Sequence, residues 1–597
     1  ACFFMSATLE NVYASIPATT RGKSFFLGGD PKGENFLYTC GNSVVIRNIA
    51  NPKIAETYDE HQYAPTVAKY SPSGYYICSA DAVGGVRIWD TTQKEHPLKA
   101  EYRVLGAAIY DLDWSEDSKR IVVCGDGREK YSHAFFMDSG ASVGELSGHI
   151  KPVNSIAMKP NRPYRVASGS EDFQVSWYEG PPFKFKKKMS NHTRFVNCVR
   201  FAPNGSFLAS VGSDKQLVFY DGKTGELTRA IENAHAGGIY SCSWSPDSTK
   251  LLTASADRSC KIWDVASGEC ITTFQFEKTV ENQQLGCLWQ GEHLLSINLA
   301  GHITYLDQAN PDKPIRVLKG HNKFVTALQV DKANGRFYSG SYDATVTRWD
   351  VETGANENLS GTGHKNQVTQ LSIDGGKLFS SAMDDSFRIT PTDSLEYSGD
   401  AIGTDSPVVG VDSKNGVTVA ASMKSIYVLQ NGSLKHTVPA PWGPTSVAVS
   451  NDGSQCVVGG DDNNIHLFSL SGAPSETKVM EGHRGPVISL QYSPKGDKIA
   501  SGGKDRNVMV WSAAGELEIQ GWIFHNAQVG CVAWSPDSKR IASASQDQNL
   551  IVWNTEAKTT RIVIKGAHRG GCNCVSWWDD NTIFSAGQDC TIKSWKI

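Results

Sequence analysis

The stretch from His525 to Asn554 reads His-Asn-Ala-Gln-Val-Gly-Cys-Val-Ala-Trp-Ser-Pro-Asp-Ser-Lys-Arg-Ile-Ala-Ser-Ala-Ser-Gln-Asp-Gln-Asn-Leu-Ile-Val-Trp-Asn, and it carries four marks in a fixed order. His525 precedes a short polar stretch and an apolar strand. Ser535-Pro536 makes a turn, because proline presets φ at the first turn position and the small or polar residues after it tolerate the second. Ser543-Ala-Ser-Gln-Asp547 is a small-residue strand running into a turn aspartate, and Trp553 ends a short apolar strand.

Outward from this stretch the same marks keep one beat. Histidines 61, 149, 192, 235, 321, 364, 483, 525 and 568 stand at intervals of 88, 43, 43, 86, 43, 119, 42 and 43 residues. The two long intervals are double periods and the 119 is close to three shortened ones, so marks are skipped near residues 105, 278, 406 and 442. Aromatic strand ends recur at Trp89, Trp177, Tyr220, Trp263, Trp349, Phe468, Trp511, Trp553 and Trp595. Turn aspartates recur at Asp172, Asp257, Asp343, Asp505, Asp547 and Asp589, and Ser-Pro turns at Ser71, Ser245, Ser493 and Ser535. Alternation in Val196-Asn-Cys-Val-Arg-Phe201 and the short apolar run Lys250-Leu-Leu-Thr-Ala-Ser255 both suit strands.

A period of 40–45 residues with Gly-His and Trp-Asp marks is the signature of WD repeats, each a four-stranded propeller blade. Marked and skipped starts, with one further unit over residues 21–60, give fourteen blades. A single ring rarely exceeds eight. The sequence therefore predicts an all-β chain of two tandem seven-bladed WD-repeat β-propellers, residues 21–320 and 321–597. The last unit, from His568, supplies only three strands before Ile597. Its outer strand is expected from residues 1–20, through Asn11-Val-Tyr-Ala-Ser-Ile16. The other arrangement is that this segment closes the first ring and Pro314-Ile-Arg-Val-Leu318 closes the second. Either closure removes exposed sheet edges.

Bulk properties narrow the function. With 597 residues, 40% hydrophobic and 20% charged, the chain can bury large cores. A net charge of −4 argues against a nucleic-acid binder. No apolar run approaches the ~20 residues that span a bilayer, so no membrane association is expected. No charged segment followed by an apolar one opens the chain, and a cytoplasmic location is expected. Met5 is the first candidate initiator, and residues 1–4 read as an extension. The 14 cysteines include no Cys-x-x-Cys pair, and the Cys572/Cys574 pair has no second pair at zinc-ligand spacing, so neither a metal nor a disulfide scaffold is expected.

The recurring His, Ser, Asp and Trp could suggest a catalytic triad. An active site needs one constellation, whereas this set recurs blade after blade. The aspartate caps a tight turn and orients the histidine, whose ring holds the next loop, so buried polar groups find partners among themselves. These residues report fold. With no phosphate-cradling glycine loop, no catalytic residue and no cofactor are expected, and function falls to residues that break the repeat. These lie in Gly125-Asp-Gly-Arg-Glu-Lys130, Glu179-Gly-Pro-Pro-Phe-Lys-Phe-Lys-Lys-Lys188, His192-Thr-Arg-Phe-Val196 and Glu281-Asn-Gln-Gln-Leu-Gly286. Strand alternation would put Phe183 and Phe185 on one face and Lys184 and Lys186 on the other. The two aromatics are either ordinary strand packing or a charge-rimmed interface anchor. Lys186–Lys188 are either a solvated face or a contact for an acidic surface.

These breaking segments resemble a specific family, the actin-interacting protein 1 family of cofilin-assisting WD-repeat proteins. The matching stretches are Gly28-Gly-Asp-Pro-Lys-Gly33, Ile88-Trp-Asp-Thr-Thr-Gln93, Gly180-Pro-Pro-Phe-Lys-Phe-Lys186, Arg194-Phe-Val-Asn-Cys-Val-Arg200, Gln283-Gln-Leu-Gly286 and Lys565-Gly-Ala-His568. The resemblance covers essentially the whole chain and weakens between about residues 395 and 480. It implies two seven-bladed propellers set like an open clamshell, and a monomer that binds actin filaments decorated with cofilin and speeds their severing and disassembly in the cytoplasm. It also implies a functional surface at Glu129, Glu171, Phe185 and Phe195, to which the neighbouring Phe183, Lys184, Lys186 and Arg194 are added. Glu171 stands where the family pattern has Asp, keeping the charge with a longer reach. A generic WD-repeat scaffold or adaptor is the alternative function. The sequence holds no F-box, coiled coil or low-complexity tail to serve one.

Overall fold

The computed structural model describes residues 7–399 and 401–597. It is all-β apart from a single 3-10 turn, Lys332–Asn334, among the described residues. The strands form fourteen antiparallel sheets, thirteen of four strands and one of three. Numbered in chain order, the first sheet spans residues 28–58, the second 65–103, the third 109–136, the fourth 153–189, the fifth 196–231, the sixth 239–275 and the seventh 284–318. The eighth to thirteenth follow over residues 325–564, and the fourteenth combines 572–596 with Thr8–Tyr13.

Two compact units result. One is Ile16–Lys319; in the other, Thr8–Tyr13 joins Gly320–Ile597. Thr8–Tyr13 pairs antiparallel with Ile592–Lys596 and completes the fourteenth sheet. Arg316–Leu318 instead pairs with Ile303–Leu306 as the outer strand of the seventh sheet. Each unit closes on itself. In the first, Gln290 of the seventh sheet accepts the Asp30 N–H (2.9 Å) and donates to the Asn35 carbonyl (2.9 Å), and the Tyr305 hydroxyl donates to the Ile49 carbonyl (2.9 Å). In the second, Asn573 donates to the Val325 carbonyl (2.8 Å), and Tyr13, Val325, Phe337, Trp349, Phe584 and Ile592 share one core.

The core lies between neighbouring sheets, where β-branched and aromatic side chains of the middle strands interleave. Polar marks hold the turns. In the thirteenth sheet His525 Nε2 lies 2.8 Å from Ser543 Oγ, His525 Nδ1 lies 3.0 Å from Asp547, and the Trp553 indole donates to Ser543 Oγ (2.8 Å). The Asn526 N–H also donates to Asp547 (2.8 Å). The same network forms around His235, His483 and His568. One mark is displaced from its expected residue. In the fourth sheet the place of the tryptophan belongs to Tyr178, whose hydroxyl accepts from Ser168 Oγ (3.4 Å). Trp177 points into the core between the fourth and fifth sheets, 5.8 Å from Phe201. At the skipped mark near 406, Ser406 and Asp405 bind Ser422 (3.1 and 2.8 Å), so small polar groups replace the imidazole.

The third sheet departs from the pattern. Its outer place is taken by residues 141–145, bridged to Phe135 through Ser142 rather than running as a strand. This segment reaches across to the fourth sheet: the Phe183 N–H donates to the Val143 carbonyl (2.8 Å) and the Glu145 N–H to the Phe183 carbonyl (3.0 Å).

Candidate functional site

The turns that join the second and third strands of each sheet, and the segments leading into the first strand, lie at one end of the strands. In the first unit this rim carries most of the repeat-breaking residues. Glu129 sits in the 126–131 turn of the third sheet and is exposed. That turn is longer than its counterparts and folds tightly: the Asp126 N–H donates to the Ala108 carbonyl (2.9 Å) and the Glu129 N–H to the Gly127 carbonyl (2.8 Å). A Cβ on Gly127 would lie 1.6 Å from the Lys130 carbonyl oxygen, so only glycine fits there.

Glu171 occupies the corresponding turn of the fourth sheet and is half-buried, its N–H donating to the Pro152 carbonyl (3.0 Å). Tyr110, on the innermost strand of the third sheet, is within electrostatic reach of both turns. Burial, then the carboxylates of Asp126 and Glu171, raise its hydroxyl pKa. The Lys23 ammonium covers the Tyr110 ring at 4.7 Å. Two residues after Glu171, Phe173 projects from the same turn with its ring 5.8 Å from that of Phe195, and Lys151 stands 5.8 Å over the Phe173 face. Arg194 is exposed beside Phe195. Acidic groups, cation-covered aromatics and an arginine thus adjoin along neighbouring turns of the third, fourth and fifth sheets, the composition of a protein-binding hot spot.

Lys184, Phe185 and Lys186 lie elsewhere. They belong to the outer strand Lys184–Met189, in which Met189 pairs with Val175 at the turn end and Phe185 pairs with Tyr178. Four residues of strand separate Phe185 from that end, about 13 Å at ~3.3 Å per residue. All three side chains are exposed because no layer covers an outer strand. The Phe185 ring stacks edge-on to Tyr178 (6.1 Å) and closes over Gly148.

Phe183 and Phe185 both pack against Tyr178, but they differ in burial. Phe183 is fully buried among Val143, Leu146, Val166 and Tyr178, and it precedes the strand, held by the two backbone bonds to residues 143–145. It supports the site from beneath and cannot itself touch a partner. Pairing shifts between Trp177↔Lys187 and Tyr178↔Phe185 leave Lys186 as an extra residue, a bulge that interrupts the alternation only beyond Phe185.

Comparison with known proteins places the chain. The family described as WD domain, G-beta repeat matches residues 140–179, 183–221, 225–264, 312–350, 432–469, 474–512, 518–554 and 559–596. A "66 kDa stress protein" of Physarum polycephalum is 50% identical over 600 residues, covering 99% of this chain and 100% of that protein. "WD repeat-containing protein 1" of Gallus gallus is 46% identical over 605 residues, 99% of each chain. "Actin-interacting protein 1" of Drosophila melanogaster is 42% identical over 594 residues, 98% of each. The chain belongs to the actin-interacting protein 1 family of WD-repeat proteins.

In this family member the rim also holds residues that the repeat marks do not pick out. Phe173 stands at a turn position filled by Lys215, Arg258, Ala344, Arg506 and Gln548 in other sheets, so in sequence it reads as one more turn residue. All of these have left-handed backbones, Phe173 with φ 69°. A bulky aromatic is costly in that region, and such strain concentrates at functional sites. The readable signal was the residue type: large and apolar where the repeat otherwise tolerates polar or small side chains. Tyr110, Lys23 and Lys151 come from three separate segments, and no spacing rule connects them. The second unit carries a related exposed cluster, with Phe324 and Tyr342 6.3 Å apart and Lys323 5.7 Å over the Tyr342 ring. Among the described residues no group of three His, Cys, Asp or Glu side chains is arranged to hold a metal, and no helix is long and apolar enough to cross a membrane.

Proposed function

We propose that this protein binds actin filaments already decorated with cofilin and promotes their severing and disassembly through protein–protein contacts alone. The observation that carries the reading is full-length similarity to a protein named for its interaction with actin, at 42% identity over 98% of both chains. The exposed rim of the first unit supports it, since Phe195, Phe173, Arg194, Glu171 and Glu129 offer a mixed aromatic and charged surface of the kind that anchors protein interfaces. Phe185, Lys184 and Lys186 offer a second contact on the outer edge of the fourth sheet. Phe183 contributes by holding residues 141–145 in place.

The action needs no bond chemistry from this chain. Tighter binding to a strained or severed filament state than to the intact one shifts the balance between them by that difference in affinity. Such a role places the protein in the cytoplasm on the actin cytoskeleton, as a monomer, with hydrolysis left to the nucleotide on actin. Imaging of single filaments tests it. With cofilin present, adding the protein increases severing and shortening, and without cofilin it does little. Unchanged severing with cofilin present would overturn the proposal.

A further inference from the structure

The innermost strands of the first unit bury a set of charged and thiol groups that the rim does not use. Asp111 is wholly buried. Lys69 Nζ lies 3.2 Å from its Oδ1 and an Arg200 guanidinium nitrogen 2.7 Å from its Oδ2, while Ser155 Oγ (2.8 Å) and the Ile156 N–H (3.1 Å) donate to it. The Arg200 guanidinium also stacks 4.5 Å over Phe26. Two residues before Arg200, on the strand Val196–Phe201, Cys198 Sγ lies 3.8 Å from Sγ of Cys242, which is on the innermost strand of the next sheet, Ile239–Trp244. The Cys242 thiol donates to Cys198.

We infer that Cys198 and Cys242 form an oxidative modification site, converted by a hydroperoxide into a disulfide that ties the innermost strands of the fifth and sixth sheets together. In the first step the Cys198 thiolate attacks the terminal peroxide oxygen. The O–O bond breaks, Cys198 becomes a sulfenic acid, and the departing alkoxide takes up the proton the thiol released. In the second step the Cys242 sulfur attacks the Cys198 sulfur. The S–S bond forms, the S–O bond breaks, and the hydroxide leaves as water with the Cys242 proton. Two thiols are oxidised by two electrons and one hydroperoxide is reduced to an alcohol and water.

The geometry favours this pair. The sulfurs lie 3.8 Å apart, and a disulfide brings them to ~2.05 Å. Burial opposes charge on Cys198, but the Cys242 thiol, the Arg200 cation and the Cys242 N–H outweigh it and hold the Cys198 thiol below its usual range. Hydrogen bonding to Cys198, then burial, pushes Cys242 well up. Cys198 is thus the attacking sulfur and Cys242 the resolving one. Arg200, whose charge acts on Cys198, keeps 17% of its side chain exposed, so solvent reaches the neighbourhood of the pair. The strand that would be tied begins directly after Phe195, so oxidation fixes the base of the rim.

A built-in comparison exists, since Cys270 is the exposed cysteine among those described. The folded full-length chain is treated with hydrogen peroxide, quenched, unfolded and alkylated. Alkylatable thiols fall by two from the 14 of the reduced chain and return with dithiothreitol, and a non-reducing peptide map shows the Cys198 and Cys242 peptides linked. In Cys242→Ser the sulfenic acid persists on Cys198 and is trapped by dimedone, whereas Cys198→Ser gives neither product. Oxidation of Cys270 with no linked pair in the wild-type map would overturn the inference, as would Cys198 linked to Cys287. The wild-type map decides the matter even where a variant folds poorly, and it does not depend on the filament reading.

Discussion

The rings of Phe173 and Phe195 meet at 5.8 Å across two neighbouring sheets, each partly open to solvent at 37% and 41% exposure. Phe173 keeps this place in a left-handed turn that costs an aromatic residue about 1–3 kcal/mol. Phe173→Asn is therefore expected to raise the melting temperature while weakening filament disassembly. Phe195→Ala is expected to lower disassembly at fixed cofilin by about tenfold or more, the effect of losing an anchor worth about 2 kcal/mol. Severing assays paired with thermal melts check both. A Phe173→Asn protein that is no more stable, or one that severs as well as wild type, would contradict this account.

Phe185 lies along the outer strand, about 13 Å from the turn end by the ~3.3 Å strand rise. Sites that far apart without shared partners act additively, within about 0.5 kcal/mol. The Phe185→Ala and Phe195→Ala losses in filament affinity should sum in the double variant. A coupling above about 1 kcal/mol in co-sedimentation would show that the two rings share one pocket on the partner.

Ser543 serves His525 and Trp553 at once. Ser543→Ala leaves both buried nitrogens without that partner, at about 1–3 kcal/mol for each buried group left unsatisfied. Denaturant unfolding should show a loss of about 2–6 kcal/mol in the second unit by the same reckoning. A loss below about 0.5 kcal/mol, the range of a neutral surface change, would mean that the network does not hold the turn.

Tyr13 is buried against Phe337 (4.9 Å), Trp349 (5.8 Å) and Phe584 (5.8 Å), where the first and last sheets of the second unit meet. Tyr13→Ala should cost about 3–5 kcal/mol, as for other large aromatic truncations in cores. Hydrogen exchange should quicken in Val325–Asp331 and Cys572–Asp579 and remain slow in the first unit. Equal loss of protection in both units would refute a local effect.

Acid should weaken the fold before any carboxylate titrates. Burial lowers the imidazole pKa of His235, His364 and His525 below the usual 6.5, although their aspartates oppose the shift. Over the range between the folded values and 6.5 the unfolded chain binds more protons, so stability rises with pH there. The contribution is complete above 6.5 and is lost as the pH falls below it. Denaturant midpoints should drop between pH 8 and pH 5.5, less steeply in His525→Gln. Identical midpoints at the two pH values would remove the imidazoles as the cause.

The sequence by itself determined the architecture, because a WD blade is specified locally. Each marked unit brings its own histidine, small-residue strand, turn aspartate and aromatic, and those groups satisfy one another through bonds that span no more than 22 residues, as His525, Ser543, Asp547 and Trp553 do. The repeat count follows from that self-sufficiency. What the sequence left open depends on contacts between distant segments. It offered two partners for the strand near residue 11, and packing of Tyr13 against Phe337 and Phe584 selects Ile592–Lys596. Alternation put Phe183 and Phe185 on one face, and both pack on Tyr178, but the backbone bonds from residues 143–145 bury the first while the second reaches solvent. The candidate site was legible as residues that break a pattern; which of them adjoin was not. Phe173 meets Phe195, and Asp126 and Glu171 both act on Tyr110, only because turns of successive sheets converge at one end of a closed ring.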